Sequence, residues 1–157
     1  MAPITIIPFQ PQFAEAFERL NRAWIEQFFK VEESDLRMLT DPQSSILAGG
    51  GQIFFALNDG TAVGTVAAVC KSDTVFELAK MAVSPAVQGR GIGERLGRAA
   101  IAYAREAGAS MMFLETNSAL QNAIRLYERL GFAHATRRHP SPYERSNVYM
   151  ELRFDRP

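Results

Sequence analysis

Apolar residues recur along the chain at two kinds of spacing, and each kind predicts a different element. Over residues 12–28 they recur every three or four positions, which is typical of an amphipathic helix. The same spacing returns over 92–107 and 120–130, and a glycine follows each segment. A short polar segment adds a fourth helix at 32–40. Strands are predicted for the β-rich runs 4–8, 52–57, 61–69, 74–83, 111–115, 133–137 and 147–152.

The order of these elements predicts the fold class. Asn58-Asp59-Gly60 is a hairpin signal, so the three strands between 52 and 83 form an antiparallel meander. After residue 83 strands alternate with helices, which is typical of a mixed sheet with helices on its faces. The sequence therefore predicts an α/β (or α+β) fold.

Length, composition and charge exclude several classes of protein. The chain has 157 residues, of which 47% are hydrophobic and 22% charged, and this predicts a single domain over 1–157. Seventeen basic residues balance seventeen acidic ones, which disfavours nucleic acid as a partner. An apolar run of membrane-spanning length and an N-terminal export signal are both absent. We therefore expect a cytoplasmic protein that does not bind membranes.

The residues that could bind metal or form disulfides are few. Cys70 is the single cysteine, so it cannot form an internal disulfide, and it suits a reducing compartment. His134 and His139 are not clustered with carboxylates or with Cys70 at the spacing of a metal site. The sequence predicts no metal.

A glycine-rich loop, Gln88-Gly89-Arg90-Gly91-Ile92-Gly93, joins a predicted strand to a predicted helix. Glycines let the backbone approach a ligand closely, and the N-terminus of the following helix attracts anions. A Walker loop needs Lys and Ser or Thr after its last glycine, but Glu94 and Arg95 follow Gly93. A dinucleotide fingerprint needs a glycine where Glu94 stands. Another type of pyrophosphate loop and a glycine-rich helix start without ligand stay open.

Two further segments flank this loop. Residues 77–85 read Glu-Leu-Ala-Lys-Met-Ala-Val-Ser-Pro, and residues 122–132 read Asn-Ala-Ile-Arg-Leu-Tyr-Glu-Arg-Leu-Gly-Phe. In this order and spacing the segments resemble the fourth strand, the pyrophosphate loop and the C-terminal motif of the GNAT superfamily of acetyl-CoA-dependent N-acetyltransferases. That family's loop reads Gln/Arg-x-x-Gly-x-Gly/Ala, which is matched here by Gln88, Gly91 and Gly93.

The resemblance implies a twisted, mostly antiparallel sheet of about seven strands flanked by about four helices. Its fourth and fifth strands would splay apart and form a slot for acetyl-CoA, where free backbone groups could bind the pantetheine arm. The residues that the resemblance assigns to acetyl-CoA are Met81, Ala82, Val83, Gln88, Gly89, Arg90, Gly91, Ile92, Gly93, Asn117, Asn122 and Tyr127.

Acetyl transfer needs a base for the amine proton, a donor to the oxyanion and an acid for the leaving thiolate. Tyr127 is the candidate acid: its place on the apolar stripe favours a core tyrosine, whereas the family motif favours the acid. Glu77 is the candidate base, and strict alternation would place it on one strand face with Ala79, Met81 and Val83. Apolar neighbours would raise its pKa, as a base requires. A rim carboxylate paired with a cation is the equal alternative. The oxyanion donor would be a backbone N–H near Val83.

Residues of the acceptor site are harder to select. Phe29 breaks the apolar stripe of the first helix, whereas Trp24 and Phe28 fit it and are expected to be buried. The resemblance places substrate near this helix, so Phe29 and Tyr143 are candidate acceptor-binding residues. The acidic residues Glu32, Glu33 and Asp35 either attract a cationic amine or form a solvated helix face.

The sequence therefore predicts an acyltransferase that moves acetyl from acetyl-CoA to a primary amine of a small molecule, directly and within a ternary complex. An acetyl-cysteine route through Cys70 is disfavoured. A peptide or protein N-acetyltransferase is the alternative enzyme. A non-catalytic CoA-binding sensor is the alternative outside enzymes, which Glu77 and Tyr127 disfavour. The family often forms homodimers, and the sequence does not decide whether this chain does.

Overall fold

The computed structural model describes residues 3–154, which form seven strands and four α-helices. The strands are β1 (Ile4–Pro8), β2 (Gln52–Asn58), β3 (Thr61–Cys70), β4 (Val75–Val83), β5 (Met111–Thr116), β6 (Ala133–His134) and β7 (Val148–Arg153). The helices are α1 (Ala14–Phe28), α2 (Glu33–Thr40), α3 (Ile92–Glu106) and α4 (Gln121–Arg129). Among these residues no helix combines the length and apolar character needed to cross a membrane.

All seven strands belong to one sheet in the order β1-β2-β3-β4-β5-β7-β6. Neighbouring strands are antiparallel except β4 and β5, which are parallel. This confirms the predicted meander and the mixed sheet. The predicted strand 133–137 is shorter than expected, since β6 ends at His134 and the chain then leaves the sheet.

Helices cover both faces of the sheet, and each face has its own hydrophobic core. On the first face α3 and α4 pack against the strands, with Leu96 and Met112 fully buried there. On the second face α1 and α2 pack through residues such as Phe17 and Leu39. Burial of one such side chain contributes about 1.5–3 kcal/mol, so both helix layers are held firmly to the sheet.

The parallel pair β4–β5 separates after a short distance. Its strands pair only at Val75↔Met111, Phe76↔Met112 and Glu77↔Phe113. Past Glu77 no residue of β4 pairs with β5, so backbone groups on that edge of β4 are left for another partner. This is the splay that the resemblance implies.

A β-bulge interrupts β4 within the splayed half. The register against β3 shifts between Thr65 and Ala67, so Lys80 and Met81 together lie opposite one residue of β3. Lys80 has a φ of +56°, which is the left-handed region that non-glycine residues seldom adopt.

The bulge changes which side chains share a face. Ala79 packs into the core on the α1 side, but Met81 and Val83 pack into the core on the α3 side. The prediction that Glu77 shares one face with Met81 and Val83 is therefore wrong. Alternation counts one residue per step, and a bulge inserts a residue that the count does not include.

Candidate active site

A long groove of about 570 Å³ opens between the end of β4, the glycine loop and α4. The end of α1, the first turn of α3 and residues along α4 also line it. Ten of the twelve residues that the resemblance assigns to acetyl-CoA line this long groove: Met81, Ala82, Val83, Gln88, Gly89, Gly91, Ile92, Gly93, Asn122 and Tyr127.

The glycine loop has the geometry of an anion cradle. Gly89 and Gly91 have φ values of +82° and +72°, and a Cβ at either position would meet nothing within 4 Å. Both glycines are thus required by backbone conformation and leave open space in front of the loop. Gly91 is also the N-cap of α3, so the free N–H groups of the first helical turn begin here and carry partial positive charge.

Arg125 strengthens the positive character of the long groove, and the sequence analysis missed it. It lines the groove one turn along α4 from Asn122, whose side-chain oxygen accepts a hydrogen bond from it. The spacing of a cation three residues from a candidate ligand residue was visible in the sequence. A CoA pyrophosphate therefore fits this groove, because left-handed glycines, a helix N-terminus and a guanidinium all face one open space.

A small pocket of about 80 Å³ adjoins the long groove on the other side of β4. Trp24, Met81, Leu120 and Tyr127 line both cavities, so the two meet at these side chains. The rest of the small pocket comes from α1, the first half of β4, the end of β5 and the loop before β7.

Glu77 lines the small pocket and is 6% exposed. Within residues 3–154 its carboxylate accepts no hydrogen bond, and its nearest cationic atom is Lys71 Nζ at 4.0 Å. Burial raises its pKa above the usual value of a glutamate, while the positive charges of Lys71, Lys80 and His139 act in the opposite direction. This is the environment of a carboxylate poised to accept a proton.

Tyr127 stands at the junction of the two cavities. Its ring packs edge-on against Phe132 at a centroid distance of 6.4 Å, which anchors it to the core. Burial raises the pKa of Tyr127 to about 12, so the phenol is protonated at neutral pH. The core and the catalytic interpretations of Tyr127 are thus compatible, because this residue packs against the hydrophobic core and also lines both cavities.

A buried ionic cluster forms the far wall of the small pocket. Asp35 is fully buried and receives Lys80 Nζ at 2.5 Å and the two terminal nitrogens of Arg145 at 2.7 and 2.8 Å. Arg145 also donates to Glu32 at 3.1 Å. Burial opposes ionisation of Asp35, but the hydrogen bonds from Arg145 and the charge of Lys80 prevail and hold its pKa at about 2.

This buried cluster corrects the interpretation of the acidic segment. Glu32 and Asp35 neither face solvent nor stand free to attract an amine, because both are bound to Arg145. Only Glu33 is exposed, as a solvated helix face requires. The sequence did not indicate Lys80 and Arg145 as partners of Asp35, because they lie 45 and 110 residues away from it along the chain.

The two candidate acceptor residues both line the small pocket. Tyr143 accepts a hydrogen bond from Lys80 Nζ at 3.0 Å, and the charged ends of Lys80 and Arg145 lie 4.5 and 4.7 Å from its ring centre. Phe29 caps the end of α1. The expectation that Phe28 is buried is wrong, because it is 51% exposed on the wall of the long groove.

Asn117 and Arg90 do not line the long groove. Asn117 lines the small pocket, where its amide donates to Arg145 O at 2.7 Å and accepts from Ala119 N at 2.8 Å. It thus fastens the loop before β7. Arg90 lies half-buried within the glycine loop. Asn21, a polar residue inside the apolar stripe of α1, lines the small pocket and could have been selected for that reason.

No group of three or more His, Cys, Asp or Glu side chains within 3–154 is arranged to hold a metal ion.

Residues 14–132 match the model of the acetyltransferase (GNAT) family. The chain belongs to this family. The family uses acetyl-CoA as the donor of the acyl group, which agrees with the anion cradle and the splayed strands described above.

The chain is also similar to two curated proteins. One is the uncharacterized N-acetyltransferase YjgM of Escherichia coli (strain K12), 42% identical over 72 residues, which are 45% of this chain and 43% of that protein. The other is human N-acetylaspartate synthetase, 32% identical over 117 residues, which are 74% of this chain and 37% of that protein. The matched regions therefore span less than half the length of either relative.

Solved structures agree over nearly the whole chain. An acetyltransferase of the GNAT family from Staphylococcus aureus Mu50 has a TM-score of 0.87 at 22% identity and covers 96% of this chain and 99% of its own. A Salmonella typhimurium acetyltransferase solved with its cofactor acetyl-CoA has a TM-score of 0.76 at 19% identity, over 97% and 94% of the two chains. At these identities the likeness shows the fold.

Proposed function

We propose that this chain transfers the acetyl group of acetyl-CoA directly to a primary amine of a small acceptor, within a ternary complex. The observation that carries the proposal is the junction of the two cavities. A groove with an anion cradle meets a pocket whose buried carboxylate, Glu77, accepts no hydrogen bond within residues 3–154, and Tyr127 lines both cavities.

The long groove would hold acetyl-CoA, which supplies an activated thioester when bound. Backbone N–H groups from Gln88 to Gly93 would bind its pyrophosphate. The free edge of β4 at Met81, Ala82 and Val83 would bind the pantetheine arm, with Asn122 on the opposite wall.

The small pocket would hold the amine and manage its proton. As the C–N bond forms, Glu77 accepts through water the proton that the amine nitrogen loses. As the C–S bond breaks, Tyr127 Oη donates its proton to the sulfur, and a backbone N–H near Val83 stabilises the oxyanion in between. The proton on Glu77 returns to Tyr127 through solvent, so the products are an amide and a free thiol.

The burial of Glu77 without a hydrogen bond from the described residues also favours an enzyme over a CoA-binding sensor. A buried carboxylate without a hydrogen bond lowers the stability of a fold. A protein that only bound CoA would gain nothing from this cost, whereas a base requires it.

Binding and turnover test the proposal separately. Acetyl-CoA at about a hundred times its dissociation constant adds roughly 2.7 kcal/mol. For a chain of this length that is a rise in melting temperature of about 5–10 °C. Free CoA should act likewise and ATP should not.

Tyr127→Phe should leave the acetyl-CoA shift unchanged and lower kcat about 100-fold or more, because only the acid is lost. Tyr103→Phe is the matched control, since this hydroxyl bonds to Gly50 O at 2.8 Å and lies outside both cavities. A turnover of Tyr127→Phe equal to that of the control would remove Tyr127 from the mechanism.

A further inference from the structure

We infer that the acceptor is a primary amine with an uncharged, largely apolar body, rather than an amino acid, a dicarboxylate or a polyamine. This inference rests on the proposed function and concerns the small pocket alone. It follows from the ion pairs that the charged side chains of that pocket already form.

The charged side chains on the far wall of the small pocket are all paired with one another. Two carboxylates, Asp35 and Glu32, face two cations, Lys80 and Arg145, at contact distances of 2.5 to 3.1 Å. These four charges sum to zero. A carboxylate on the acceptor would meet Lys80 and Arg145 only by competing with Asp35, which is fully buried and binds both of them.

The other charged side chains that line the small pocket are Glu115 and Glu77, and they differ in how they are paired. Glu115 pairs with Arg137, and Ser146 Oγ lies between them as a hydrogen-bond partner of both. Four charged side chains line the small pocket, and three of them, Lys80, Arg145 and Glu115, are in direct ion pairs. The fourth, Glu77, lies 4.0 Å from Lys71 Nζ and accepts no hydrogen bond from the residues that the structure describes. The carboxylate of Glu77 can therefore bind one positively charged group of the acceptor.

The remaining wall is apolar. Side chains from α1, β4 and the loop before α4 supply it, and a charge on the acceptor body would there lose its water without gaining a partner. This apolar wall consists of Trp24, Ile25, Phe29, Leu78, Met81 and Leu120. The amine nitrogen therefore faces Glu77, and the rest of the acceptor faces aromatic and aliphatic carbon.

Two matched pairs of amines test the inference with the intact chain. One pair is 2-phenylethylamine and phenylalanine, which differ by a carboxylate. The other is butylamine and 1,4-diaminobutane, which differ by a second amine. With saturating acetyl-CoA and thiol release as readout, kcat/KM should be at least about tenfold higher for the uncharged body in each pair, because one unpaired buried charge costs more than about 1.4 kcal/mol.

A value of kcat/KM for phenylalanine or 1,4-diaminobutane that equals or exceeds that of its partner would overturn the inference and leave the proposed function standing. Absence of thiol release with all four amines, together with absence of a melting shift with acetyl-CoA, would overturn both.

A charge variant then tests the cause. Glu32→Gln keeps the size of the side chain and leaves the far wall with one excess positive charge, so discrimination against phenylalanine should fall at least about threefold. Glu33→Gln, at the exposed first residue of α2 directly after Glu32, is the matched control and should leave the ratio unchanged. An unchanged ratio in Glu32→Gln would refute the charge argument.

Discussion

Glu77 and Asp35 are both buried carboxylates beside the same pocket, yet their protonation equilibria are shifted in opposite directions. Asp35 is fully buried and its pKa is held at about 2, whereas Glu77 is 6% exposed and its pKa is raised. Burial acts on both in the same direction. The difference lies in the donors: Asp35 receives hydrogen bonds from Lys80, Arg145 and the backbone N–H of Glu32, whereas Glu77 receives none within residues 3–154.

The comparison separates a structural region from a chemical one. Asp35 joins α2, the bulge of β4 and the loop before β7, so it fixes the shape of the small pocket. Glu77 lies 4.0 Å from Lys71 Nζ and accepts no hydrogen bond within residues 3–154, so its carboxylate is available for a proton. A fold can place carboxylates of both kinds in one site because hydrogen-bond partners, and not depth, decide which form is favoured.

The largest effect should come from Asp35→Ala. It leaves Lys80 buried without the carboxylate that binds it and Arg145 with Glu32 alone, which costs about 3–5 kcal/mol in the free energy of unfolding. Because the folded pKa is lowered, this stability is present above the unfolded value near 3.9 and is lost as pH falls toward about 2. Urea unfolding of wild type and Asp35→Ala at neutral pH and at pH near 3 tests both the size of this loss and its dependence on pH.

Glu33→Ala, on the exposed side of α2, is the control and should change the free energy of unfolding by less than about 0.5 kcal/mol. If Asp35→Ala proved as mild as this control, the cluster would not hold the pocket together.

Next in size is the loss of activity in Glu77→Gln, expected to be about 100-fold in kcat/KM near neutral pH. A base acts only when ionised, so the wild-type rate falls as pH drops through its raised pKa. In the variant no base removes the proton of the amine, so its rate rises with pH. The difference in kcat/KM between wild type and variant therefore becomes smaller at alkaline pH. Profiles of kcat/KM between about pH 6 and pH 10 test this.

Glu106→Gln, at the exposed end of α3, should retain the wild-type profile. Parallel profiles for wild type and Glu77→Gln would assign Glu77 to structure alone.

The smallest effect is a gain of stability in the same Glu77→Gln variant. A carboxyl whose folded pKa is raised costs stability above its unfolded value near 4.3, so a neutral amide should stabilise the fold by about 0.5–2 kcal/mol at neutral pH. The gain should vanish below pH 4, where both states carry a protonated Glu77. A melting temperature of Glu77→Gln below the wild-type value at pH 7 would contradict the desolvation of Glu77.

Local patterns were sufficient for most of the fold. The helices follow from apolar spacings of three and four, and the meander follows from Asn58-Asp59-Gly60, because both signals act between residues close in the chain. The glycine loop was equally readable, since the left-handed φ of Gly89 and Gly91 is a requirement of those positions themselves. Glu77 and Tyr127 were selected through their motifs, and their roles remain proposals.

Interactions across the fold could not be read in this way. Nothing near Lys80 in the sequence signals a bulge, because the register against β3 is set by pairing over the whole meander. Asp35, Lys80 and Arg145 each look like an ordinary surface charge until the sheet and the loop before β7 bring them together.

The sequence by itself determined the elements, their order, the family and the anion cradle, because these depend on neighbours along the chain. The tertiary structure decided that Asp35 is held by hydrogen bonds and that Glu77 accepts none from the described residues, and thereby the charge that the small pocket can accept. That choice depends on desolvation and on donors brought from 45 and 110 residues away, and no local pattern contains it.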